Sequence, residues 1–88
     1  MRWEDSSERQ PGERLAEPNR LHIEGQALRI VLRKDARGNW SAHYGLGMFD
    51  SMLEAKTAKE AQHEAIELVQ TKLERMLSEL HQIKAVTT

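Results

Sequence analysis

Apolar and polar positions alternate with a period of two over residues 28–46. Apolar side chains occupy every second position from Leu28 to Leu32, and again from Trp40 to Leu46. Alternation of this kind is typical of strands that bury one face. The segment between them, residues 35–39, contains Asp, Gly and Asn, which favour a hairpin loop in which Gly38 adopts a positive φ. The pattern predicts an antiparallel β-hairpin, with Arg29, Val31, Arg33, Ser41 and His43 on its polar face.

Two shorter segments extend this sheet. Leu21 and Ile23 continue the period of two before the first strand, and Gly25 marks a bulge or a turn. After the hairpin, Gly45 and Gly47 end the second strand, and residues 51–55 predict a short third strand. The sheet is therefore predicted to be a three-stranded antiparallel meander.

A single long helix follows the sheet. No Gly or Pro occurs after Thr57, and good helix formers fill the chain from Thr57 to Lys84. Thr57 and Glu60 have the spacing of a capping box, in which Glu60 reaches back to the amide of the cap residue. Ala61, Ala65 and Leu68 form a stripe suited to close packing on a sheet. The predicted 28-residue helix is about 42 Å long, whereas strands of five to seven residues extend only about 17–23 Å.

The part of the helix that extends past the sheet is apolar on one side. Seven residues, close to a heptad pattern, form an apolar stripe: Ile66, Val69, Leu73, Met76, Leu77, Leu80 and Ile83. Exposed apolar surface is unfavourable by roughly 25 cal/mol per Å², so something should cover it. A second copy of the helix is the simplest cover and predicts a homodimer. The alternatives are a helix that bends near residues 70–71 and folds back, or a different protein partner.

The first 20 residues have a different character. They contain both prolines and, as large apolar side chains, only Trp3 and Leu15. Such a segment buries too little surface to offset its ordering entropy, which predicts a disordered tail over residues 1–20 and one domain over residues 21–88. The predicted fold class is α+β: a three-stranded antiparallel β-meander packed on one long C-terminal α-helix.

Charge and composition narrow the function. The 88 residues suffice for one small domain, and 13 basic against 14 acidic residues give a net charge of −1. This balance argues against a strongly electrostatic nucleic-acid binder. A local basic cluster on the first strand and its hairpin nevertheless offers candidate phosphate contacts: Arg29, Arg33, Lys34 and Arg37. The alternative for this cluster is a solvated outer face of the sheet.

The residue types offer little catalytic or metal-binding chemistry. The chain has no cysteine, and its four histidines, which include His63 and His81, lack the i, i+4 spacing of a metal motif. No serine lies in a Gly-x-Ser-x-Gly elbow. We therefore expect a protein that is not an enzyme, with no catalytic residue, cofactor or metal. The longest unbroken apolar run is three residues, from Ile30 to Leu32, and the N-terminus has no signal-peptide pattern, so we expect a cytoplasmic protein with no membrane contact.

Parts of the sequence resemble HicB-type antitoxin domains. The resemblance lies in Leu-Arg-Ile-Val-Leu-Arg-Lys-Asp-Ala-Arg-Gly-Asn-Trp at residues 28–40, the strand Ser-Ala-His-Tyr that follows, and Glu-Ala-Lys-Thr-Ala-Lys-Glu-Ala at residues 54–61. It implies a partial ribonuclease-H-like β-β-β-α layer without nuclease activity. It also implies a small toxin-like protein partner, a dimer or higher oligomer, and repression of the protein's own operon through an added DNA-binding element.

A second resemblance implies a different function. Gly-Asn-Trp-Ser-Ala at residues 38–42 and Thr-Ala-Lys-Glu-Ala at residues 57–61 are similar to arm-type DNA-binding domains of tyrosine integrases, which read DNA with a basic sheet. The favoured hypothesis is a non-enzymatic protein-interaction module, antitoxin-like and homodimeric through its helix. The alternative hypothesis is a DNA-binding module that uses the outer face of the sheet.

Overall fold

The fold is a five-stranded antiparallel sheet with one long helix. The computed structural model describes residues 1–7, 17–45 and 49–87. Its elements are β1 (Glu4–Asp5), β2 (Arg20–Glu24), β3 (Arg29–Lys34), β4 (Trp40–Tyr44), β5 (Phe49–Met52) and α1 (Ala58–Val86). The strands pair in sequence order, each antiparallel to the next. The α+β class is confirmed, but the prediction of three strands is wrong, since the sheet has five strands within the described residues.

The two additional strands come from the first 24 residues. β1 lies in the segment predicted to be a disordered tail and pairs with β2, and Ser6 extends the ladder by donating its amide to the Arg20 carbonyl at 3.0 Å. β2 is a separate strand because the chain reverses at Gly25, whose amide donates to the Leu28 carbonyl at 2.8 Å. Residues 8–16 lie outside the described residues, and the domain boundary between residues 20 and 21 stays a prediction.

The hairpin between β3 and β4 has the predicted loop. The Asp35 amide donates to the Asn39 carbonyl at 2.9 Å, and Gly38 has a φ of 86°, which an L side chain rarely adopts. The Asp35 carboxylate accepts the amides of Arg37 at 2.8 Å and Asn39 at 2.9 Å. This short-range network explains why Asp, Gly and Asn were informative at these positions.

The Asp35 carboxylate makes the loop pH-sensitive. Hydrogen bonding from the Asn39 amide, with help from Arg37, lowers the pKa of Asp35 below its ordinary value of 3.8. A lowered folded-state pKa stabilises the fold above the ordinary pKa, and this stabilisation is lost as the pH falls through the folded-state value. We expect Asp35→Asn to unfold at lower urea than the parent at pH 7, with the difference shrinking below about pH 4. Urea denaturation at several pH values measures it, and a difference constant down to pH 2 would contradict it.

The strand after β4 lies earlier in the sequence than predicted. The third predicted strand, residues 51–55, is observed as β5 at Phe49–Met52. Leu53 and Ala55 are buried without belonging to the strand. The Glu64 carboxylate fixes this connection, because it accepts the Glu54 amide at 3.0 Å and the Ala55 amide at 2.9 Å. A side chain of α1 therefore holds the loop that leads into α1.

The start of α1 has the predicted cap with one difference. Thr57 is the N-cap, and its side-chain oxygen accepts the Glu60 amide at 3.2 Å. The Glu60 carboxylate accepts the amide of Lys56 at 3.2 Å, rather than that of Thr57 as the capping box predicts. α1 ends at Val86, two residues beyond the predicted end, and Thr87 donates its hydroxyl to the Ile83 carbonyl at 2.7 Å.

The core lies between α1 and one face of the sheet, called here the helix-side face. Its buried members are Leu21, Ile30, Leu32, Trp40, Ala42, Tyr44, Leu53, Ala55, Ala61, Ala65 and Val69. As predicted, Ala61 and Ala65 are completely buried, which lets the helix approach the sheet closely. Beyond Val69 every described residue of α1 is exposed, and the molecule measures 62 × 26 × 18 Å.

Candidate interaction surfaces

The apolar stripe is exposed along the free half of α1. Six of its seven residues are between 46% and 57% exposed: Ile66, Leu73, Met76, Leu77, Leu80 and Ile83. The exception is Val69, which is only 3% exposed because it packs on its own sheet. Residues 70–86 of α1 extend about 26 Å past the last buried residue. Five of these apolar side chains thus lie on a helix segment that no described residue of the chain covers.

Ile66 joins this stripe to an apolar cavity. The cavity has a volume of about 350 Å³ and lies beside α1 at the β2–β3 turn. Its wall is almost entirely apolar and comprises Met1, Trp3, Ile23, Gly25, Gln26, Ala27, Leu28, Ile30 and Ile66. This cavity was not predicted from the sequence, because Trp3 was expected in a disordered tail, whereas Trp3 packs against the core. The stripe and the cavity form one continuous apolar surface through Ile66.

The four candidate phosphate-contacting residues do not share one face. Arg29 and Arg33 are exposed on the outer face of the sheet, opposite α1, where the sequence places them. Lys34 is directly opposite the buried Trp40 and therefore lies on the helix-side face, with its ammonium 4.0 Å from the Glu17 carboxylate. Arg37 is exposed in the hairpin loop. Of the four cations, only Arg29 and Arg33 are thus strand residues of the outer face.

A row of ionisable residues crosses the outer face at one level of the sheet. The strand registers place Glu4, His22, Val31, His43 and Asp50 opposite one another in that order. His22 lies 3.2 Å from both the Glu4 carboxylate and the Ser6 hydroxyl, and His43 hydrogen-bonds to Asp50. Each histidine is thus paired with a carboxylate from an edge strand. Sequence spacing alone could not reveal this row, because it depends on the register of five strands.

The outer face carries nearly balanced charge. Its described strand residues include three basic side chains, Arg20, Arg29 and Arg33, and three acidic ones, Glu4, Glu24 and Asp50. Arg2 lies beside Glu4 and Glu24 and adds a fourth basic side chain. Four arginines against three carboxylates leave an excess of one positive charge among the described residues, the histidines not counted. A surface for duplex DNA usually carries a clear excess of basic residues, since phosphate neutralisation supplies much of the affinity.

The described part of the chain has neither a metal-binding cluster nor a transmembrane helix. Within residues 1–7, 17–45 and 49–87, no cluster of three or more His, Asp or Glu side chains is arranged to hold a metal ion. Among the same residues, α1 is not apolar enough to serve as a transmembrane helix. The two surfaces that stand out are the apolar stripe with its cavity, and the mixed-charge outer face.

Comparisons with other proteins add no identification. No protein-family model matches the chain, and neither the curated proteins nor the solved structures give a significant match.

Proposed function

We propose that this chain is a small protein-interaction module that acts without catalysis, as a homodimer joined through α1. The observation that carries the proposal is the apolar stripe. Leu73, Met76 and Leu80 are about half-exposed on a helix segment beyond the sheet, with Leu77 and Ile83 beside them. Contiguous exposed apolar surface of this kind marks protein interaction sites.

A second copy is the occupant that fits the stripe best. Apart from Leu77, which widens it, its residues repeat at alternating spacings of three and four, which is the pattern that packs one helix against another in coiled coils. The same side chains would supply both halves of the interface, as in a C2 dimer. The stripe also continues over the last three turns of α1, so a partner helix could bury it along its length.

The oligomeric state tests this proposal directly. Sedimentation equilibrium of the full chain at tens of micromolar should give twice the chain mass of 10.1 kDa. The mass should decrease towards that of one chain on dilution, because dimer formation depends on concentration. A parent protein that remains at the mass of one chain throughout this range would overturn the proposal.

The antitoxin-like function is a further part of this proposal. It is supported by the resemblance of residues 28–40 and 54–61 to HicB-type domains. The partner implied is a small toxin-like protein. Co-expression with a small protein encoded beside this gene would test it: the partner alone should arrest growth, and this chain should restore growth by forming a stable complex. Growth unaffected by either protein would contradict the antitoxin function without affecting the homodimer.

DNA binding by the outer face is the second candidate, favoured by the exposure of Arg29 and Arg33 on one face. Because three carboxylates on the same face offset most of the charge of its arginines, we expect no salt-dependent binding of duplex DNA at micromolar protein.

A fluorescence anisotropy titration at 50 and 200 mM salt measures this, with Arg29→Ala/Arg33→Ala as the matched variant. If the outer face does bind DNA, the variant should weaken binding and lower the salt slope by about one unit per lost phosphate contact. Strong binding at low salt that disappears in this variant would favour the DNA-binding function.

A further inference from the structure

One helix is too narrow to cover this sheet. Five strands span about 19 Å between the outermost two, at about 4.8 Å per spacing, whereas a helix with its side chains is about 10 Å wide. α1 packs on β3 and β4. On the β1–β2 side, Trp3, Ile23 and Leu28 of the helix-side face are only partly buried, and they line the apolar cavity. As far as the described residues show, the helix-side face thus has room for a second helix beside α1.

The apolar stripe lies on the flank of α1 that faces this vacant region. Ile66 lines the cavity together with Trp3 and Ile23. Leu68 lies on the opposite flank, beside Tyr44 and Ser51. Residues seven apart on a helix lie within about 20° of the same direction, so Leu73 and Leu80 continue the flank of Ile66. A helix packed against the stripe would therefore extend over the open part of the helix-side face.

We propose that the partner's α1 docks antiparallel beside α1 and that its last turns fill the apolar cavity. This inference rests on the homodimer proposed above and specifies its geometry. The partner's Ile83 would pack on Ile66, beside Trp3, and the partner's Val86 would lie near the mouth of the cavity. By symmetry, each copy covers the cavity of the other, so the interface includes the sheet as well as the helix.

The antiparallel register pairs apolar positions of the stripe. When Ile66 is opposite the partner's Ile83, Leu73 is opposite the partner's Met76. The same register sets Val69 against the partner's Leu80, but Val69 is buried under its own sheet, so that pair does not form. Lys72 lies with Leu68 on the flank away from the stripe, so its charge does not fix the register.

A parallel pair would leave the cavity open. The two sheets would lie at the same end of the pair, and both cavities would remain unfilled. Val69, which is buried under its own sheet, contacts the partner in neither arrangement, since it would face the partner's Val69 in a parallel pair and the partner's Leu80 in the antiparallel register. The position of the cavity therefore favours the antiparallel arrangement.

Disulfide crosslinking tests the orientation, and the natural chain, which has no cysteine, gives no background. The variants are Ile66→Cys and Ile83→Cys. A disulfide needs Cα atoms within about 7 Å. In the antiparallel dimer Ile83 lies about 25 Å along the helix axis from the partner's Ile83, but next to the partner's Ile66. Each variant alone should remain uncrosslinked on oxidation. The two variants should then be mixed in equal amounts and allowed to exchange subunits. About half of the dimers in this mixture should crosslink, because half of them contain one copy of each variant.

The crosslinking results distinguish the antiparallel geometry from the existence of a homodimer. Covalent dimers from Ile83→Cys alone, with none specific to the mixture, would overturn the antiparallel geometry and leave a parallel homodimer. A parent that sediments as a monomer would overturn both. Ser78→Cys, on the opposite side of α1, is the control and should not crosslink alone or in mixtures.

A second measurement tests the contribution of the sheet. In the docked dimer Trp3 contacts the partner, so Trp3→Ala should raise the dimer dissociation constant on the order of tenfold or more. Arg2→Ala, an exposed neighbour outside the cavity wall, should leave it unchanged. A dissociation constant unaffected by Trp3→Ala would contradict docking in the cavity, even if the helices pair.

Discussion

Leu73→Glu is expected to convert the proposed dimer into a folded monomer. Leu73 lies near the middle of the apolar stripe, beyond the last buried residue of α1, Val69. Burying a carboxylate without a partner costs several kcal/mol, and a symmetric dimer contains the substitution twice. A total loss of about 4 kcal/mol raises the dissociation constant on the order of a thousandfold. Sedimentation equilibrium should therefore give one chain mass, 10.1 kDa, at concentrations where the parent is dimeric.

Ser78→Glu is the matched control for this prediction. It adds the same charge to the same exposed half of α1, but on the face away from the stripe. It should leave the dimer intact, and both variants should keep the circular dichroism of the sheet, because Ala61, Ala65 and Val69 still pack on it. A dimer that tolerates Leu73→Glu as well as it tolerates Ser78→Glu would place the interface elsewhere.

Trp40→Ala is expected to unfold the domain. Trp40 is one of the two largest fully buried side chains, and it opens β4 in the centre of the core. Replacing a buried Trp by Ala costs about 3–5 kcal/mol through lost burial and the cavity left behind. A small domain has a total stability at the low end of about 5–15 kcal/mol. Urea denaturation followed by circular dichroism should show loss of most or all of the folded baseline at 25 °C.

Trp40→Phe provides the comparison. It keeps an aromatic ring in the core and removes the indole N–H, whose nitrogen is buried with no hydrogen-bond partner among the described residues. Because no hydrogen bond is lost, the loss of stability should be much smaller than in Trp40→Ala. Equal destabilisation by both substitutions would show that the indole N–H matters more to the fold than ring burial.

The elements with strong local signals were predictable from the sequence. The loop at residues 35–39 follows from hydrogen bonds between neighbours, and Thr57 caps α1 through a contact three residues away. β1 was missed because a two-residue strand has no periodicity and is stabilised by pairing with β2, fifteen residues or more along the chain. β5 was displaced because Leu53 and Ala55 are buried by packing after the strand has ended. Pairing and packing between residues far apart in the chain cannot be predicted from the local pattern of apolar and polar residues.

The candidate surfaces divide in the same way. The stripe on α1 could be predicted from the sequence because its spacing follows from helix geometry alone. The burial of Val69 could not be predicted, because it depends on where α1 leaves the sheet. The separation of Lys34 from Arg33 follows from strand alternation. The cavity beside Ile66 could not be predicted from the sequence, because it is formed by Trp3, the β2–β3 turn and the middle of the helix. Residues from three distant segments meet there only after folding.

The order of the strands has a consequence for how the chain emerges during synthesis. Each strand pairs with the one made just before it, so the sheet can assemble progressively from the N-terminus. The helix that covers the sheet is made last, and its first buried residue, Ala61, follows every strand. Until then the apolar side of the nascent sheet lacks the α1 residues that cover it, Ala61, Ala65 and Val69. The interval before release from the ribosome is therefore when this protein is most exposed to aggregation, and when chaperones would bind it most strongly.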